Sequence, residues 1–184
     1  MRGAVLLRLA VVAGALVAAA LYVSHETPPA RANNPEEAQV VRRIVHYRAE
    51  NARWRRTMGL PPLAHAHGKR DLAATGPEYR RWVLSLWRRR ALAARNRAQH
   101  PPRREAWMCI HRYEGAWNDP DPPYYGGLQM DLDFQRSYGA HLLRRKGTAD
   151  NWTPLEQIWV TERAYRSGRG FYPWPNTARA CGLI

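Results

Sequence analysis

Cysteines, acidic side chains and long apolar runs are all scarce in this chain: two cysteines, 15 Asp plus Glu against 29 Lys plus Arg, and no uncharged stretch of bilayer length. The longest stretch without a charge or a strongly polar side chain, Leu9 to Val23, has fifteen residues, short of the roughly 20 that a membrane-spanning helix needs. At 184 residues the chain is too short for a large α/β enzyme, and it contains no internal repeat. His65 and His67 form a His-x-His pair, yet no cysteine or further histidine lies at zinc-site spacing. No metal or cofactor site is therefore expected. The basic excess carries no recognised nucleic-acid-reading motif, so nucleic acid is not an expected partner.

Hydrophobic residues make up 45% of the chain, enough for a packed core, while 14 prolines and 13 glycines leave room for loops. The charge is unevenly placed. Residues 36–105 hold 17 basic and 6 acidic side chains, a net +11. Residues 106–184 hold 9 and 8, a net +1. This pattern separates a segment 1–32, a basic region 33–102 and a nearly neutral region 103–184.

Arg2 followed by the Leu9–Val23 stretch, Pro28-Pro29 and the A-x-A-like Ala30-Arg31-Ala32 reads as a cleavable export signal. A retained N-terminal anchor is the alternative, with Arg8 snorkelling to extend the span. Either reading makes the protein secreted or cell-surface. Cys109 and Cys181 fit that compartment as a disulfide closing a loop of 72 residues, with two buried free thiols as the alternative. The chain-entropy model values such a loop at about 4 kcal/mol.

Asn34, Pro35, Glu36 and Glu37 signal a helix start, and Val40, Ile44, Tyr47 and Trp54 recur on one face until Gly59 and Pro61-Pro62. Residues 60–76 read as a loop. Pro77-Glu78 opens a second helix with a stripe of Tyr79, Trp82, Val83, Leu86 and Trp87, and with Arg80, Arg81 and Arg88 to Arg90 on the other sides. The basic faces suit attraction to anionic wall polymers or to a membrane surface through residues 36–105.

A third helix is expected from about Arg103 to Glu114, with Trp107, Ile110 and Glu114 on one stripe. An acid on an apolar stripe is desolvated, which disfavours its charged form and suits a proton donor. After it, Tyr124-Tyr125-Gly126-Gly127-Leu128-Gln129 reads as a short β-hairpin forming one wall of a cleft. The fold expected from these signals is mainly α with a small β-hairpin, preceded by the basic helical region.

The run Tyr113-Glu114-Gly115-Ala116-Trp117-Asn118 and then Tyr124-Tyr125-Gly126-Gly127-Leu128-Gln129-Met130 resembles the resuscitation-promoting factor-type, transglycosylase-like domain of the lysozyme superfamily in actinobacteria. Pro154 to Val160 with Glu162-Arg163, and Trp174-Pro175 ahead of Cys181-Gly182, are similar to that family's later motifs. The resemblance covers roughly residues 103–184. It implies a lysozyme-like α+β fold that cleaves the glycan strands of peptidoglycan. It also implies that Glu114 is the catalytic acid, that Tyr125, Gly127 and Gln129 form the cleft wall, and that Gln157 stands on the helix facing it. Trp117, Tyr124 and Tyr125 are candidates for stacking on sugar. Two departures stand out: Tyr113, not a cysteine, directly precedes the acid, and Phe134 falls where the family commonly has a threonine.

A second carboxylate would decide the product. Asp131 and Asp133 read as helix caps, Asp119 and Asp121 as turn formers, and Glu162 as the partner of an arginine. With none placed as clearly as Glu114, the expectation leans to lytic transglycosylation over hydrolysis. The alternative function is a non-catalytic protein that binds peptidoglycan or an anionic polymer.

Overall fold

The computed structural model describes residues 34–184, and the export signal or anchor expected over 1–32 lies outside them. The described residues form one compact unit. Among the described residues, no helix is long and apolar enough to cross a membrane.

The unit is mainly helical. Helix α1 spans Pro35–Thr57, and its start follows the sequence signals: Asn34 accepts from the Glu36 backbone N–H at 3.0 Å, and Glu36 and Glu37 face the positive end of the helix dipole. The expected loop contains a short helix, α2, at Lys69–Ala74. Asp71 reaches back to the Gly68 N–H at 2.9 Å, and Leu72 inserts into the core, which gives this short segment a reason to coil. Helix α3, Pro77–Gln99, then packs along α1.

The buried face of α3 differs from the expected stripe. Arg80, Val83, Trp87, Ala91, Ala94 and Ala98 face inward, whereas Trp82 is 55% exposed and Tyr79 39%. Small residues line this face, so α1 approaches closely, and Asn51 of α1 donates to the Arg90 carbonyl at 2.8 Å. Arg80 is buried because its guanidinium has partners: Glu37 at 2.6 Å and the carbonyls of Leu72, Ala73 and Thr75. A charged side chain with that many acceptors competes successfully with a tryptophan for the inner face.

Helix α4 spans Arg104–Glu114, and α5 spans Leu132–Lys146. After a 3-10 turn at Ala149–Asn151 comes α6, Pro154–Ala164, running into a π turn at Tyr165–Arg169 and finally α7, Pro175–Ala180. Thr153 and Glu156 form a capping box at the start of α6. Trp107 and Ile110 of α4 have no exposure and centre a core shared with Leu128, Phe134, Trp152, Ile158, Phe171 and Trp174. Cys109 and Cys181 are joined in a disulfide with Cα atoms 6.0 Å apart.

The expected β-hairpin is absent: no strand occurs among the described residues. Tyr125 and Met130 form a single antiparallel bridge, exchanging backbone bonds of 3.1 and 3.0 Å. The chain between them is a turn, with Gly126 at φ +72° and Gln129 at φ +46°, conformations that cannot continue a ladder. Asp131 then caps α5 by accepting from the Phe134 N–H at 2.7 Å, so extended chain ends there.

The basic helices and the C-terminal helices share one interior. Met58, Ala94, Ala98 and Trp159 form a cluster, and the Trp159 indole donates to the Ala98 carbonyl at 2.7 Å. Arg163 donates to the Thr57 carbonyl at 3.2 Å and Arg166 to the Met58 carbonyl at 3.3 Å, placing cations on the negative end of α1. Burial, with the neighbouring Arg166 adding to it, pushes the Arg163 guanidinium down to about 10.

Candidate functional site

Helix α4 carries its acid to the last position before Gly115. Ile110 and Trp107, one and two turns back, anchor the helix in the core, so the Glu114 side chain leaves the apolar stripe at the rim and is half-buried. The Thr177 hydroxyl of α7 donates to Glu114 Oε1 at 2.7 Å. This contact comes from the far end of the chain. It is held in register by the disulfide, since Cys109 lies on α4 and Cys181 directly follows α7.

Beside the acid, the loop folds back on itself. A Cβ placed on Gly115 would stand 3.0 Å from Asp119 Oδ2 and 3.1 Å from Gln129 Nε2, so both side chains lie against the residue that follows Glu114. Gln129 donates to Asp119 Oδ2 at 2.9 Å and to the Gly126 carbonyl at 3.1 Å. Asp119 Oδ1 accepts from the Asp121 N–H at 3.1 Å. Asp119 is thus engaged at both oxygens, as a turn former is.

Trp117 stacks on His111, one turn before Glu114 on α4, with ring centroids 3.9 Å apart. His111 Nδ1 lies 3.0 Å from the Gly127 carbonyl. A Cβ on Gly127 would sit 2.6 Å from His111 Nδ1 and 2.7 Å from the Trp117 ring, so only glycine lets the turn close on this pair. Gln157 is fully buried and donates to the carbonyls of Trp117, Ala149 and Trp152 at 2.7, 2.9 and 3.2 Å. It braces the wall from behind.

A cleft of about 240 Å³ opens next to this wall, lined by Tyr124, Gln129, Asp131, Phe134, Arg169 and Trp174 among others. Gln129 joins the two features, one side in the cleft and the other against Gly115. Tyr124 is half exposed at the cleft edge, and Tyr125 is held in the bridge. Glu114 itself is not among the cleft-lining residues. A larger cavity, about 1030 Å³, lies elsewhere, between α1, α5 and the start of α6.

Three other candidate carboxylates have structural duties. Asp131 caps α5, Asp133 pairs with Arg136 at 2.7 Å, and Glu162 is buried against Arg103 and Trp107. Sequence reasoning missed Thr177, His111 and Arg169. The first two had a signal: His111 is one helical turn before Glu114, and Thr177 is one turn before a cysteine whose partner lies on the same helix as the acid. Arg169 had none, since its place in the cleft comes from the π turn. No family model, curated protein or solved structure matches the chain.

Proposed function

We propose that the protein is an exported glycosidase that cleaves the glycan strands of peptidoglycan, with Glu114 as general acid and then general base. The observation that carries this reading is the setting of Glu114. It is a half-buried carboxyl at a helix end, oriented by the Thr177 hydroxyl and followed by Gly115, against which Gln129 packs, with Trp117, Tyr124 and Tyr125 on the loop that comes after the helix. The motif resemblance over residues 103–184 supports it, and the disulfide supports an extracytoplasmic setting.

In the proposed reaction the protonated Glu114 gives its proton to the glycosidic oxygen as the C1–O bond breaks. The resulting carboxylate then takes the proton of the same sugar's 6-hydroxyl while that oxygen bonds to C1. A 1,6-anhydro end forms, the acid is regenerated and no water is consumed. The occupation of Asp119, Asp131, Asp133 and Glu162 in structural contacts supports this single-carboxylate route over one needing a second carboxylate.

The test is digestion of purified peptidoglycan by the protein and by its Glu114→Gln variant, followed by mass analysis. General acid–base catalysis is worth about 10²–10⁴-fold, so the variant should release fragments at least about a hundredfold more slowly. Equal release by both proteins defeats the enzyme and leaves a glycan-binding protein. Products with only reducing ends replace the transglycosylase with a hydrolase.

A further inference from the structure

The cavity of about 1030 Å³ stands apart from Glu114, in a groove between the C-terminal half of α1, the end of α5 and the start of α6. Arg53 and Arg56 line it from α1, and Arg145 and Lys146 line it from α5. Cations in the last turn of a helix answer the helix dipole, which explains Arg56, Arg145 and Lys146 one by one. The fold adds a convergence: two such turns, 89 positions apart in sequence, face one groove of about 1030 Å³.

Four cations there meet two carboxylates, Glu50 and Glu156. Glu156 is already engaged, with Lys146 at 2.6 Å, Arg145 at 3.7 Å and the Thr153 N–H at 2.9 Å. Glu50 lies 3.8 Å from His46 and accepts a long bond of 3.5 Å from the Trp54 indole, leaving it able to accept from a hydroxyl. Among the described residues, neither Arg53 nor Arg56 takes part in an ion pair. The groove therefore offers unneutralised guanidinium groups beside an acceptor for hydroxyls.

It offers no stacking platform. Trp54 is its only aromatic side chain other than histidine, and the Arg53 guanidinium lies 4.4 Å from the centre of that ring. Nucleic-acid grooves pair cations with open aromatic faces for the bases, and that second half is missing here. We propose that this groove binds a base-free, phosphodiester-linked polyol strand, with Arg53 and Arg56 on the phosphates and Glu50 on the hydroxyls. The proposal stands on the groove alone and is independent of whether Glu114 cleaves glycan.

The experiment measures fluorescence anisotropy of a labelled poly(glycerol phosphate) oligomer, and of a single-stranded oligonucleotide of equal charge, with the purified protein over a range of salt. The Arg53→Gln/Arg56→Gln variant should bind the polyol phosphate at least tenfold more weakly, with a salt slope shallower by about 1.4 for two lost phosphate contacts. The Arg88→Gln/Arg89→Gln variant removes the same charge from an exposed face of α3 and should change affinity less than twofold. Equal losses in the two variants, no binding by the unaltered protein, or an oligonucleotide bound as tightly as the polyol phosphate each overturn the proposal. No glycan is present, so the outcome is separate from that of the Glu114→Gln digestion.

Discussion

Glu162 has no solvent exposure, yet three donors converge on its carboxylate: Arg103 Nη2 at 2.6 Å, the Trp107 indole at 2.8 Å and the Arg103 N–H at 3.2 Å. It joins α6 to the start of α4 and so holds the helix that ends in Glu114. Breaking a buried ion pair by removing one partner costs about 3–5 kcal/mol. In Glu162→Gln the amide oxygen can still accept from Trp107, while the amide N–H₂ faces the guanidinium. Arg103 is partly exposed and can recover hydration, which places this variant at the low end, about 3 kcal/mol. For a chain of this size that is a fall in Tm of about 6–12 °C. Arg103→Met leaves a buried charge without its counter-ion and should be the more destabilising of the two. Thermal unfolding followed by circular dichroism tests both, together with the double variant, whose cost should be smaller than the sum. A shift below about 2 °C for Glu162→Gln, or strict additivity, refutes the reasoning.

Thr177→Val should slow glycan release about tenfold, since one hydrogen bond to a carboxylate at a half-buried site contributes about 1.5 kcal/mol. Thr177→Ser should restore the rate, and a Val variant as fast as the original contradicts the orienting role. Replacing Cys109 and Cys181 by serine should lower stability by up to about 4 kcal/mol through the 72-residue loop, and a change under about 1 kcal/mol in denaturant unfolding counts against it. Burial, then the repulsion of Arg163 and Arg145 with a smaller push from Arg144, holds the His141 imidazole below its ordinary 6.5 against the opposing pull of Glu156. The unfolded chain therefore takes up this proton first as pH falls. The contribution is complete above about 6.5 and is lost as pH drops from there toward the folded-state value. His141→Gln should flatten the dependence of the denaturation midpoint between pH 7 and pH 5, and an unchanged slope rules out this origin.

Much was legible before any coordinates because it depends on neighbours in the chain. The Asn34-Pro35-Glu36 start, the Thr153–Glu156 box and the Asp131 cap satisfy backbone N–H groups within three residues, so spacing alone identifies them. The α4 stripe ending in Glu114 and the interior places of Trp107 and Trp159 follow from helical periodicity. With only two cysteines, a disulfide had only one possible pairing.

What tertiary structure decided rests on partners far away in sequence. Arg80 displaced Trp82 from the inner face of α3 because Glu37 and the end of α2 supply its acceptors, and neither is predictable from the period of the helix. Tyr125 to Met130 became a bridge around a turn, since backbone at positive φ and the start of α5 left no room for a ladder. Thr177 reaches Glu114 across 63 residues, and the cationic groove joins α1 to α5. Local hydrogen-bond and hydrophobic patterns determine which segments coil. Which faces meet, and which charges find partners, is settled only when the whole chain shares one interior.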